Sequence, residues 1–289
     1  MNEPDFRLAE ARLCVIGLGL MGGSLAKALR DKVAGITASD LDPTVIEAAL
    51  SDGTIDAEGN PADADIVILG MPSHRIVETI RTLDEKPGQL VMDLGSTKQV
   101  ICEALDDLPD GLLAVGGHPM CGLAENGYHN ATPTLYRGAR FVLCETARTT
   151  RQARYQAETL VRELDAVPLW IDRRRHDALT AITSHLPHLL NFALMRLAMD
   201  VATEDPDIYK LAAGGFDGAT RLARTDESML VGMFGTNAAE IRTLAGRLRQ
   251  HLDVLEAILD DEEALRRELP PIVEARRQYS DDYGERPIA

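Results

Sequence analysis

The sequence predicts an α/β protein, a doubly wound sheet at the N-terminus followed by an all-helical domain. Three observations predict it. Short apolar runs alternate with helical patterns up to about residue 171, no strand signal follows Asp172, and a glycine-rich turn joins the first apolar run to the first helix. Solidly apolar strands between longer helices are what a parallel sheet covered on both faces requires.

The elements follow in order. "RLCVIG" (12–17) leads into a helix from Gly22, and "GITASD" (35–40) precedes a helix after Pro43. "ADIVILG" (64–70) is followed by "SHRIVETIRTL" (73–83), and "QLVMDLG" (89–95) by "TKQVICEAL" (97–105). "GLLAVGG" (111–117), "RFVLCET" (140–146) and "VPLWI" (167–171) complete the strands, with the helix "RQARYQAETLVREL" (151–164) between the last two. Beyond them, "HDALTAITSHLPHLLNFALMRLAMDVA" (176–202) is apolar on most faces and is expected to be largely buried. "ESMLVGMFGTNAAEIRTLAGRLRQHLDVLEAILDDEEALRREL" (227–269) continues as helix with charged residues on one side. The expected domains are 1–171 and 172–289. The second is too apolar for an isolated bundle of its size, which predicts a homodimer.

The 289 residues leave room for two domains. A formal net charge of −16, from 46 acidic against 30 basic residues, argues against nucleic acid or an anionic membrane as the main partner. An anionic small molecule remains compatible, given a locally basic pocket. The four cysteines form no Cys-x-x-Cys pair and read as reduced thiols, Cys121 as a small packed residue. "MNEPDFRLAEAR" lacks an apolar signal core, and no apolar run approaches the ~18 residues of a membrane span. The expectation is a soluble, cytoplasmic protein without a metal site.

"VIGLGLMGGSLAKAL" sets Gly17, Gly19 and Gly22 in G-x-G-x-x-G spacing between a strand and a helix. The first glycine permits the tight turn, the second admits a pyrophosphate, and the third lets helix and strand pack closely. The helix N-terminus then faces the phosphates. Gly17, Leu18, Gly19, Leu20, Met21 and Gly22 are the expected cofactor contacts of a dinucleotide-binding (Rossmann) domain. Asp40 closes the second strand, where a carboxylate accepts ribose hydroxyls and repels a 2′-phosphate; NAD is therefore the expected cofactor over NADP.

Four further stretches depart from plain scaffold. "HPMCGLAENG" (118–127) places a histidine in a glycine-punctuated segment with no helical or strand periodicity. "DLGSTK" (93–98) follows the fourth strand, where open sheets bind ligands, although Ser96 and Thr97 also read as caps of the next helix. "SHLPH" (184–188) interrupts the apolar helix, with Pro187 as a possible kink, and "GGFDGATRLA" (214–223) carries Arg221. Polar residues on adjoining turns of an apolar helix point to a cavity or ligand.

In order and approximate spacing, the fingerprint, "GGHPMCG", "SHLPH" and "GGF…TR" resemble the prephenate and arogenate dehydrogenases, from about Leu13 to about Leu230. The resemblance implies NAD-dependent oxidative decarboxylation of prephenate to 4-hydroxyphenylpyruvate, with arogenate as the alternative substrate. It also implies a Rossmann domain followed by a helical dimerisation domain. Carried over by motif, His118 accepts the proton of the ring hydroxyl and Ser96 positions that hydroxyl. Arg221 grips a substrate carboxylate, Ser184 and His188 contact substrate, Gly214 lines the pocket, and His185 is structural. Many members read Thr-Glu after the "HPM-x-G" motif, where this chain has Leu123-Ala124. A β-hydroxyacid dehydrogenase, which shares the glycine opening, would carry a lysine on the long helix; this chain has His188 and Asn191 there.

Overall fold

The computed structural model describes residues 6–83, 86–123 and 125–284. Its N-terminal half is one sheet of β1 (Arg12–Ile16), β2 (Gly35–Ser39), β3 (Ala57–Glu58), β4 (Ile66–Leu69), β5 (Leu90–Asp93), β6 (Leu113–Pro119), β7 (Arg140–Glu145) and β8 (Val167–Trp170). The spatial order is β3-β2-β1-β4-β5-β6-β7-β8. β1 pairs in parallel with both β2 and β4, so the chain winds outward in opposite directions from that point. An open sheet of this kind leaves its ligand crevice there, at the carboxyl ends of the strands.

The central strands β1, β4 and β5 are largely apolar and buried because both faces of the sheet are covered there. Leu13, Val15, Ile66, Ile68 and Met92 pack on one side, with α1 (Leu20–Leu29) and α5 (Arg151–Glu163). Cys14, Val67, Leu69 and Val91 pack on the other, against α3 (Ser73–Ile80) and α4 (Gln99–Asp106). α2 (Pro43–Ser51) follows β2, and the Asp42 side chain caps it by accepting the Thr44 N–H.

Three local expectations change. The two-residue β3 was not visible as a pattern, being too short to alternate. The sheet is mostly rather than wholly parallel, because β6 and β7 are antiparallel. Among the described residues no crossover helix separates them, only a 3₁₀ turn at Tyr128–Asn130, so the chain returns along the edge it left. That return extends β6 to Pro119, pairing His118 with Val142. His118 therefore stands on a strand and not in irregular backbone.

The C-terminal half comprises α6 (Arg173–Thr180), a π turn (Ala181–His185), α7 (Leu186–Glu204), α8 (Gly214–Thr220), α9 (Glu227–Thr236), α10 (Ala238–Glu256) and α11 (Glu262–Tyr283). "SHLPH" does not break the helix. A regular turn would drive the Pro187 ring into the carbonyl of Thr183, and the wider π turn just before it takes up that mismatch. α7 is less buried within the single chain than its composition predicts, with Leu197 59% and Met199 56% exposed. No helix among the described residues is long and apolar enough to cross a membrane.

Candidate active site

The turn after β1 is built by contact. Gly17 has φ +90°, in the left-handed region, and a Cβ on Gly22 would stand 2.0 Å from the Gly17 carbonyl oxygen. α1 begins at Leu20 with Gly19 as an N-cap that offers no side chain, and a Cβ on Gly19 would meet nothing within 4 Å. The leading N–H groups of α1 and its partial positive charge are left for an anion that approaches the backbone closely. Asp40 is pinned beside this turn, accepting the Leu18 N–H at 2.7 Å and the Asp42 N–H at 3.0 Å. Each carboxylate oxygen keeps a lone pair for ribose hydroxyls. An uncapped helix end, open backbone and a fixed carboxylate fit a dinucleotide.

A cavity of about 560 Å³ opens at the same edge of the sheet. Gly19, Leu20 and Met21 line it from the cap and first turn of α1, Met71 from the turn after β4, Ser73 from the start of α3, Ser96 from the turn after β5, and His118 from β6. Cys121 and Leu123 close one side, with Leu123 43% exposed; Ala124 lies outside the described residues. Burial pushes the Cys121 thiol up to about 11, which keeps it a thiol at neutral pH. A larger groove of about 850 Å³ between α3, α4 and α9 contains none of the candidate residues.

The helical half reaches the cavity through Asp226, Ser228 and Met229 at the start of α9. Ser184, His188, Arg221 and Gly214 do not line it. Three of these four lie together on and beside α7. His188 Nδ1 is 2.9 Å from the Ser184 carbonyl, and the Leu222 N–H donates to Asn191 at 2.9 Å, tying the turn that begins with Arg221 to that helix. Burial, and then the nearby Arg221 charge, hold His188 below the usual imidazole range. Gly214 opens α8 and is exposed. His185 is wholly buried, with Nδ1 3.0 Å from the Asn237 amide; burial lowers it to about 4, in keeping with a structural role.

His118 has the most constrained setting. Its Nδ1 is 2.8 Å from His176 Nε2, and His176 Nδ1 is 2.7 Å from Asp177 Oδ1. The Asp177 carboxylate also accepts the N–H groups of Lys98 at 2.7 Å and Gln99 at 2.9 Å. Asp177 therefore caps α4 from across the domain boundary, in place of the expected Ser96 and Thr97. Thr97 instead pairs with Thr236 at 2.8 Å, and Ser96 Oγ lies 3.4 Å from Ser73 Oγ at the cavity wall. Beneath the histidine, Lys98 and Asp93 form an ion pair with both side chains fully buried. Burial, then the neighbouring His176, Lys98 and His185, hold His118 well below the usual imidazole range. The ring is therefore a neutral imidazole at neutral pH.

Sequence reasoning missed His176, Asp177 and the α9 residues. The only signal for the first two was a His-Asp pair at the head of the helical half, and spacing alone does not link it to a strand 58 residues away.

Residues 25–169 match the family profile described as prephenate dehydrogenase, nucleotide-binding domain, and residues 172–269 the one described as prephenate dehydrogenase, dimerization domain. The prephenate dehydrogenase of Lactococcus lactis subsp. cremoris is 31% identical over 252 residues, spanning 84% of this chain and 69% of that protein. The structure of prephenate dehydrogenase from A. aeolicus in complex with hydroxyphenyl propionate and NAD+ superposes with a TM-score of 0.86 at 27% identity, covering 94% of this chain and 99% of that one. Synechocystis arogenate dehydrogenase gives a TM-score of 0.78, also at 27% identity, over 93% and 99% of the two chains.

Proposed function

The chain belongs to the prephenate dehydrogenase family and is an NAD-dependent dehydrogenase, and we propose that it converts prephenate to 4-hydroxyphenylpyruvate with His118 as the proton acceptor. One observation carries the reading. The imidazole of His118 has Nδ1 engaged by His176, leaving Nε2 for a cavity it shares with Ser96 and the uncapped end of α1.

The residues divide the chemistry. Gly17 to Gly22 hold the pyrophosphate and Asp40 the ribose, which favours NAD over its 2′-phosphate. NAD, when bound, supplies the acceptor for the hydride of the hydroxyl-bearing ring carbon. Ser96 positions the hydroxyl, and His118 Nε2 takes its proton. The ring carboxylate then departs as carbon dioxide, its bonding electrons aromatise the ring, and the proton returns to the phenolic oxygen. Proton transfer of this kind is typically worth roughly 10²–10⁴ in rate.

A substrate with two carboxylates needs a cation, and no lysine or arginine lines the cavity among the described residues. Arg221, grouped with Ser184 and His188 and preceded by Gly214, is our choice for that role, since a guanidinium pairs a carboxylate through two charge-assisted bonds.

The helical unit, 172–289, is proposed to form a homodimer. Leu190, Leu194, Leu197 and Met199 are exposed on α7, and Leu252 and Val254 on α10. α11 carries Pro270 and Pro271 in its interior and buries only Ala264. Its Leu265, Leu269, Ile272, Val273, Tyr279 and Tyr283 recur at helical spacing along one stripe. A helix that carries two prolines in its interior and buries a single residue against its own chain needs burial against a partner. Sedimentation as a monomer at micromolar concentration would sink the dimer.

The first test of function is NADH formation from NAD with prephenate and, in parallel, with arogenate. Turnover of prephenate supports the reading. Turnover of arogenate alone would transfer the assignment to the activity named for the Synechocystis relative. Activity with neither refutes the proposed reaction.

A further inference from the structure

We propose that His176 and Asp177 form a positioning pair that fixes the tautomer of His118, so that only its Nε2 is presented to the substrate. The inference rests on the reading of His118 as the base and extends it to residues that never touch substrate.

Proton bookkeeping along the chain of contacts leads there. The Asp177 carboxylate can only accept, and it is already held by two backbone N–H groups at the start of α4. The nitrogen facing it at 2.7 Å, His176 Nδ1, must therefore carry its hydrogen. With that hydrogen on Nδ1, the single-proton form of the His176 ring presents a lone pair at Nε2. That lone pair lies 2.8 Å from His118 Nδ1, which must in turn be the protonated nitrogen. Nε2 of His118 is left bare and is the only atom of that ring able to take a proton. The opposite tautomer would set two N–H groups, or two lone pairs, against each other within the buried chain.

The arrangement is rigid. His176 and Asp177 are 1% and 2% exposed, and the Asp177 backbone carbonyl accepts the Asn237 amide at 2.9 Å. The Thr180 hydroxyl donates to the His176 carbonyl at 3.0 Å. Around the two rings stand the Asp177 carboxylate on α6, Lys98 paired with Asp93 behind β6, and His185 on the π turn. When His118 gains its proton, the new imidazolium donates to His176 and is supported at one remove by the Asp177 anion. The Lys98 charge, already neutralised by Asp93, adds less opposition than its position suggests.

Two substitutions separate positioning from packing. His176→Gln can place an amide oxygen where Nε2 stood and still accept from His118 Nδ1. His176→Asn reproduces the Nδ1 side alone and leaves His118 without its partner. The expected result is a kcat within about 10-fold of wild type for the Gln variant and a loss of about 10²–10⁴ for the Asn variant, the range for losing a positioned proton acceptor. NAD affinity should change less than 3-fold in both. Added imidazole, entering the space vacated in His176→Gly, should restore kcat by at least 10-fold with little change in KM. His118→Asn, assayed beside them, tests the underlying reading. If it keeps its turnover, His118 is not the base. If it loses turnover while His176→Asn stays within 3-fold of wild type and imidazole does nothing, the positioning pair is refuted and the base survives.

Discussion

Replacing Lys98 with methionine tests the electrostatic floor of the site. The change keeps the length and most of the volume of the side chain but removes its charge from Asp93. Both side chains of the pair are fully buried, so no water can take the place of the ammonium. Asp93 would retain only the N–H groups of Gly95 at 2.8 Å and Gly117 at 2.9 Å. Breaking a buried pair from one side typically costs about 3–5 kcal/mol, mostly as the penalty of the charge left behind. At roughly 2–4 °C per kcal/mol for a domain of this size, Tm should fall by about 6–20 °C.

The pH dependence carries a sign. Burial, outweighing Lys98, already holds Asp93 above the usual carboxylate range, and removing the lysine raises it further. The native variant then keeps a proton that the unfolded chain releases above about pH 4, so its stability deficit widens as pH rises and narrows toward acid. Differential scanning calorimetry of both proteins at pH 5 and pH 8 measures this directly. A Tm change under 2 °C, or a deficit larger at pH 5 than at pH 8, would refute the reasoning.

Other expectations follow from the same geometry. His118→Asn should lower kcat by roughly 10²–10⁴ and leave NAD affinity, measured by fluorescence titration, nearly unchanged, because the residue serves the chemical step. Arg221→Ala should chiefly raise KM for the dianionic substrate in steady-state assays; an unchanged KM would remove it from the site. His185, lowered to about 4 by burial, stays neutral in the native state while the unfolded chain protonates near 6.5. Its contribution to stability is therefore present above about pH 6.5 and declines as pH falls toward 4, by about 3 kcal/mol in all. Denaturant titrations of His185→Leu across that window should show a shallower acid loss than wild type.

The glycine spacing, Asp40 and the alternation of apolar runs with helices were legible in the sequence because each is a local constraint. A tight turn, a helix start and a strand covered on both faces all select residue types within a few positions. The antiparallel return of β7 was not legible. It depends on a connection that, among its described residues, holds a 3₁₀ turn in place of a crossover helix, and on the ladder that pulls His118 into β6. Capping of α4 was misassigned for a similar reason. Ser96 and Thr97 are suitable residues in the suitable place, yet the carboxylate that does the work arrives from Asp177, 79 residues on.

The motif carried His118, Ser96, Arg221, Ser184 and His188 as a set, whereas the fold sorts them into two groups. His118 and Ser96 share the cavity with the cofactor turn; the other three stand on and beside α7. By itself the sequence determined the fold class, the cofactor and the family, because those depend on residue types at fixed local spacing. Only the tertiary structure decided which nitrogen of His118 is free. That choice is made by a chain of hydrogen bonds running through His176 to a carboxylate in the second domain, and donor and acceptor roles propagate through space, not along the sequence.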